Sequence, residues 1–137
     1  MANEKTYRIK DASLIETKAL PAAGGGTAST GSFDLGDADQ KLARVEFELS
    51  APALGATPLP NGETMIYDLE DSPDDSSFAS VADAVITQTG ASGAGAAAVV
   101  QRIGIPSDIR QYVRVTATLS SGGATAAASS MTLSLVA

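Results

Sequence analysis

The 137-residue chain contains no histidine, no cysteine and no tryptophan. Without cysteine there is no disulfide framework and no thiolate to hold a metal. Without histidine, a serine nucleophile lacks the base that most often takes its proton. A Ser–Lys pair needs a lysine buried deeply enough to lower its pKa, and Lys5, Lys10, Lys18 and Lys41 all stand in polar or mixed surroundings. Aromatics are scarce, with three Phe and three Tyr. The core must therefore come from Val, Leu, Ile and Ala, in thin layers with little volume for a large ligand. No apolar run approaches the roughly 18 residues of a membrane-crossing helix. No basic segment followed by an apolar run opens the sequence, so no signal peptide is expected.

Positive charge is also short. The formal net charge is -7. Residues 34–83 carry twelve acids against Lys41 and Arg44, whereas residues 84–137 carry three arginines against Asp108. A nucleic-acid binder needs a basic footprint, and an acidic middle repels phosphate. The expected partners are proteins with a basic surface, and acidic loops also keep an Ala- and Thr-rich chain soluble. Asp34, Asp37 and Asp39 cluster, as do Asp71, Asp74 and Asp75. Carboxylates suit calcium, but neither group has the glycine and distal Glu of a helix–loop–helix calcium loop. Solvated loops are expected, with no metal and no cofactor. Paired acids such as Glu46 and Glu48 also serve glycoside hydrolysis; the shortage of aromatic sugar platforms and the outward direction of these two side chains argue against it. The expectation is a protein that is not an enzyme.

What the sequence does contain is alternation. Val113, Val115, Ala117 and Leu119 point one way while Arg114, Thr116 and Thr118 point the other. A period of two is that of a strand with one buried face. Val45, Phe47 and Leu49 alternate in the same way, as do Met65, Tyr67 and Leu69, and Met131, Leu133 and Leu135. The readings are strands over 44–50, 64–70, 98–103 and 109–119, and a last one near the C-terminus. The first two of these are candidates to pair across the Asn61-Gly62 turn region. Phe78, Val81, Ala82, Val85 and Ile86 fit helical spacing, so a helical turn near Ala79 to Val81 is expected, then a strand from Ala84 to Thr89. Residues 71–77 form an acidic Ser/Asp loop. Gly24, Gly25 and Gly26 lack the lysine of a phosphate-binding loop and read as a plain connection. Seven or eight short strands separated by Gly/Pro/Ser turns predict an all-β fold, an antiparallel β-sandwich of jelly-roll type. This length fits one domain: residues 1–20 as a flexible N-terminal arm or edge strand, and residues 21–137 as the sandwich.

Arg110 and Arg114 are the most informative charges. Four residues apart on one strand, they share a face, with Gln111 and Tyr112 between them. Two guanidinium forks on a rigid strand suit carboxylates of another chain. The alternative is internal pairing with Glu46, Glu48 or Asp68 across a sheet, worth little where exposed.

Two segments carry a resemblance: Ile66-Tyr67-Asp68-Leu69-Glu70-Asp71-Ser72-Pro73-Asp74-Asp75-Ser76-Ser77-Phe78, and Arg102-Ile103-Gly104-Ile105-Pro106-Ser107-Asp108-Ile109-Arg110-Gln111-Tyr112-Val113-Arg114-Val115. They resemble small jelly-roll proteins encoded beside the major capsid protein of tailed bacteriophages. In that group a hydrophobic strand leads into an acidic Asp/Ser loop and an aromatic residue. An Arg-x-x-x-Pro-x-Asp-x-Arg-x-Tyr-x-Arg stretch then enters a long central strand. The resemblance covers residues 44–136. It implies a cement, or decoration, protein that sits on the capsid exterior, bridges capsid subunits and assembles in the host cytoplasm. It assigns no catalytic residue. The implied partners are the major capsid protein and further copies of the chain, as a dimer or trimer, with no nucleic acid and no membrane.

The contact candidates are Tyr7, Arg8 and Lys10 of the arm, Asp71, Asp74 and Asp75 of the acidic loop, and Arg110, Tyr112 and Arg114 of the long strand. Two other readings remain open. A carbohydrate- or receptor-binding module of a phage tail or cell surface would show Tyr67, Tyr112 or Phe78 in a shallow pocket beside carboxylates. A minor head–tail connector or tail-tube subunit would form rings.

Overall fold

A computed structural model describes residues 15–35 and 46–136. All regular structure among them is β. The strands are β1 (Ile15–Ala19), β2 (Thr27–Ser29), β3 (Phe33–Asp34), β4 (Glu46–Ala51), β5 (Thr64–Ser72), β6 (Ala79–Thr89), β7 (Val99–Gly104), β8 (Tyr112–Leu119) and β9 (Ser130–Val136). One sheet has the order β1-β9-β4-β7; the other has the order β2-β8-β5-β6, with β3 also paired to β8. Every pairing between these strands is antiparallel. The molecule is an antiparallel β-sandwich.

The alternation expected from the sequence is what builds the two inner faces. Phe47, Leu49, Met131 and Leu133 line one sheet, and Met65, Tyr67, Leu69, Val113, Val115, Ala117 and Leu119 line the other, all with 0% exposure. Arg114 and Thr118 stand on the opposite row of β8, as the period of two requires. Thr116 belongs to that outer row too. It is nonetheless buried, beneath Ser29 and Glu70, whose oxygens lie 2.9 Å from its hydroxyl.

Two leucines outside the strands also belong to the core. Leu54 and Leu59 lie in the connection between β4 and β5 and are buried at 2% and 0%. That connection is tied to the β6–β7 connection by reciprocal bonds between the main chains of Leu54 and Ala96, at 2.9 and 2.8 Å. Between β2 and β3, Thr30 maintains the contact with β8. Its N–H donates to the Val115 carbonyl at 2.9 Å, and its hydroxyl accepts the Val115 N–H at 3.0 Å.

The structure departs from the sequence reading in three places. No helical turn forms at Ala79 to Val81; these residues open β6. The pairing of β5 with β6 shifts register between Tyr67 and Leu69 and again between Leu69 and Glu70, and Ala84 takes φ 51°. An extra residue in a strand breaks its alternation, and a broken alternation of apolar residues imitates a helical spacing. β4 and β5 do not pair across Asn61-Gly62: they belong to different sheets, and the segment between them crosses the sandwich. The long strand begins at Tyr112 rather than Ile109; before it the chain turns, with the Ile109 N–H donating to the Pro106 carbonyl at 3.2 Å. Within the segment read as arm or edge strand, Ile15–Ala19 pairs with β9 at the edge of its sheet.

Candidate interaction surface

The candidate residues of the long strand and of the acidic loop come together because β5 lies beside β8. Their register sets Glu70 opposite Arg114, Asp71 opposite Val113 and Ser72 opposite Tyr112. β3 flanks β8 on its other side, with Asp34 opposite Tyr112. The result is a surface on the outer side of the second sheet and at its end. Tyr112, Arg114 and Phe78, each half-buried, stand at its centre.

Arg114 is held from two directions. Its Nε donates to Oε1 of Glu70 at 2.8 Å, and its guanidinium carbon lies 3.9 Å from the centroid of the Phe78 ring. The same Glu70 oxygen accepts the Thr116 hydroxyl, which in turn lies 2.9 Å from the Ser29 hydroxyl. One polar chain thus crosses β2, β8 and β5. A guanidinium stacked on an aromatic face and hydrogen-bonded to a carboxylate keeps a fixed direction.

Arg110 plays a different part. Its Nη2 lies 2.6 Å and its Nε 2.7 Å from Oδ1 of Asp71. Its main-chain N–H donates to Oδ2 at 2.9 Å, and Nη2 also donates to the Asp71 carbonyl at 3.0 Å. Asp71 is 6% exposed. Its carboxylate is consumed inside the molecule, so it is not presented to a partner. The expected internal partners Glu46, Glu48 and Asp68 are not those of Arg110 and Arg114. Glu48 instead takes Arg102, Nε to Oε2 at 3.2 Å, and Asp68 accepts the Ala84 N–H at 2.7 Å, where the strand bulges.

The acidic loop is a built turn. Oδ1 of Asp74 accepts the N–H groups of Ser77 and Ser76, at 2.9 and 3.0 Å, and the Ser72 hydroxyl at 2.9 Å. The Ser77 N–H, the Ser72 hydroxyl and the Ser76 N–H hold the Asp74 carboxyl below the usual carboxylate range. Asp75 takes φ 60°, a left-handed conformation that aspartate tolerates better than most residues. It accepts a hydrogen bond from the Ser32 hydroxyl, which fastens the loop to the segment before β3. Gln111 adds a further tie, its amide donating to Oδ1 of Asp34 at 2.9 Å. Sequence reasoning missed Asp34, Ser32 and Gln111 as members of this surface, and offered Phe78 only as a pocket residue of a carbohydrate-binding module. Only the pairing of β3 with β8 and the closure of the loop bring them there.

Tyr67, a candidate for a sugar platform, lies in the core with 0% exposure. Tyr112 and Phe78 stay half-exposed, Tyr112 next to Asp34. Tyr7, Arg8 and Lys10 lie outside the described residues, as do Asp37 and Asp39. Among the described residues no group of three or more acids is placed to share a metal ion, and no helix is long and apolar enough to cross a membrane. No protein-family model and no curated protein matches the chain.

Proposed function

We propose that the chain is a structural virion protein: it binds the major capsid protein on the exterior of a tailed-phage head and stabilises that head, without catalysing a reaction. The observation that carries this reading is the state of the polar groups around Arg114. Their hydrogen bonds and ion pairs close on one another, through Glu70, Thr116, Ser29 and the Phe78 ring. Such a surface is stiff, and stiffness lowers the entropic cost of docking. It offers an aromatic and arginine centre, Tyr112, Phe78 and Arg114, rimmed by Asp34, Asp74 and Asp75. Buried Tyr and Arg anchors with a polar rim are how protein interfaces concentrate their affinity.

The strand order supports the jelly-roll assignment within this reading. Apart from the β5–β6 hairpin and the step from β2 to β3, each connection along the chain passes from one sheet to the other. A double-sheet sandwich wound in this way is the pattern of capsid and lectin domains. A shell under internal pressure needs many small clamps. Repetition over a lattice turns the weak affinity of each into high avidity. The protein is assembled in the host cytoplasm and carried on the capsid surface.

The test is to add purified protein to expanded heads that lack it. The expected result is saturable binding with a rise in the temperature at which heads release their DNA. Unbound protein and an unchanged release temperature reject the proposal.

A second reading rests on one specific observation: Tyr112 is half-exposed with Asp34 opposite it across β3 and β8. An aromatic face beside a carboxylate also suits a sugar, as a carbohydrate- or receptor-binding module requires. Saturable binding to host-cell glycans, absent in Tyr112→Ala, would favour this second role.

A further inference from the structure

A β-sandwich has open edges, and proteins protect them because an unpaired strand templates another. Three of the edges here are protected. β1 carries Glu16 and Lys18 in the row opposite Leu133 and Met131, the apolar inner row of β9; charges in such a row blunt an edge. β6 bulges twice against β5. β2 and β3 are three and two residues long, with Thr30, Gly31 and Ser32 between them.

The fourth edge differs. β7 pairs with β4 over all six residues, Val99 to Gly104, without a register shift. Among the described residues no strand pairs with its other side. It contains no proline and no lysine. Val100 is 60% exposed, the one large apolar side chain so exposed among the described residues. Beside it, the exposed amide of Gln101 donates to the Arg102 carbonyl at 3.3 Å, so a main-chain acceptor of this edge takes a side-chain donor.

We propose that β7 is the docking edge for β7 of a second copy of this chain, the two pairing antiparallel about a two-fold axis through Gln101. The inference is independent of the head-binding reading. The strand is self-complementary in this register. Gln101 meets Gln101 of the second copy, and each amide can donate to and accept from the other. Val100 meets Arg102 on the outer face, where the arginine's alkyl stem covers the valine while its head stays with Glu48, 3.2 Å away. Val99 meets Ile103 on the inner row, both half-buried in the single chain. Sliding to a two-fold axis at Arg102 would set two arginines directly opposite, which is unfavourable. A register in between would put inner against outer side chains, which a continuous sheet forbids.

Two six-residue edges bury less than the roughly 1,200 Å² of a stable complex. Self-association is therefore weak, half-complete at about 0.1–1 mM, a concentration reached where many copies are held together.

The experiment uses the absence of cysteine in the natural chain. In antiparallel strands, residues directly opposite have Cα atoms about 4.5–5.5 Å apart, within disulfide reach. Gln101→Cys should give a covalent dimer under mild oxidation at least about tenfold faster than Arg102→Cys, whose sulfur faces Val100 of the other copy. Sedimentation of the wild type should show a concentration-dependent dimer that Val100→Lys abolishes while leaving the thermal midpoint unchanged. A wild type that stays monomeric to about 1 mM overturns the proposal, and so do equal cross-linking rates for the two cysteine variants. If the monomeric protein binds heads and Val100→Lys alone removes that binding, the edge belongs to the partner protein, and self-pairing is overturned.

Discussion

The hydroxyl of Tyr67 donates to Oε1 of Gln88 at 2.8 Å in the middle of the sandwich. Gln88, 2% exposed, passes two further bonds from Nε2 to the carbonyls of Pro52, at 2.7 Å, and Ala97, at 3.0 Å. One side chain on β6 thus ties a core tyrosine to both connections at the same end of the fold. A buried polar group is tolerated only when its partners are present. Tyr67→Phe leaves one acceptor unmet and should cost about 1–2 kcal/mol in urea unfolding. Gln88→Leu strands a hydroxyl and two carbonyls and should cost more, about 2–4 kcal/mol.

The same burial governs alkaline stability. Desolvation pushes the Tyr67 phenol well above its ordinary value. An unfolded tyrosine ionises near pH 10, whereas the folded one resists. The contribution is therefore complete below about pH 10 and is lost as the pH rises further, because ionisation then favours the unfolded chain. Titration followed at 295 nm should show Tyr67 ionising only with unfolding. Tyr67→Phe should remove that step and flatten the fall in stability above about pH 10.

Removing Arg110 should be far more damaging than removing Arg102. Arg110 supplies its main-chain N–H and two side-chain nitrogens to Asp71, which is 6% exposed. Arg110→Ala leaves a buried carboxylate short of its donors, and unfolding should show a loss of about 2–4 kcal/mol. The Arg102 side chain is 60% exposed where it meets Glu48. Such a pair is screened by solvent, and Arg102→Ala should change stability by less than about 0.5 kcal/mol. A double-mutant cycle of Arg110→Ala with Asp71→Asn should show strong coupling.

The contrast between these two arginines also shows what the sequence could reveal. Residues that alternate against a wet face could be read directly, because burial on one side leaves a period of two in Val113, Val115, Ala117 and Leu119. The partners of the charges could not be read. Which acid meets Arg114 depends on the register of β5 against β8, and neither strand encodes that alone. The spacing of Arg110 and Arg114 suggested one strand, but the turn at Pro106 to Ile109 delays the strand to Tyr112. In β6, the bulge at Ala84 erased the alternation and left Val81, Ala82, Val85 and Ile86 with helical spacing. Phe78 could be read as an aromatic residue after an acidic loop and as a candidate for a sugar pocket; its place over Arg114 depends on that loop's closure.

If Tyr112 and Phe78 anchor a partner, truncating them should weaken binding without unfolding the protein. Both are half-exposed, so the core survives their loss. Phe78→Ala and Tyr112→Ala should each lower affinity for expanded heads by about tenfold or more, the effect of a central interface residue. Asp34→Asn lies on the rim, and its larger effect should be on the association rate at low salt. Equal, slight effects of all three would place the contact elsewhere.

Glycine substitutions separate two kinds of turn. Gly95 takes φ +71°, and a Cβ there would lie 1.9 Å from the Leu54 carbonyl oxygen and 2.6 Å from the carbonyl of Gly55. Those atoms belong to the main chain at the Leu54–Ala96 tie, so they cannot step aside without breaking it. Gly93 takes φ +66° with nothing within 4 Å. It faces only the conformational cost of a left-handed residue, which asparagine meets best. Gly95→Ala should lower stability by about 3 kcal/mol or more, since overpacking adds to backbone strain. Gly93→Asn should cost less than about 1 kcal/mol. Comparable losses from the two in thermal unfolding would mean that the connection between β6 and β7 is not held as closely against Leu54 as its geometry implies.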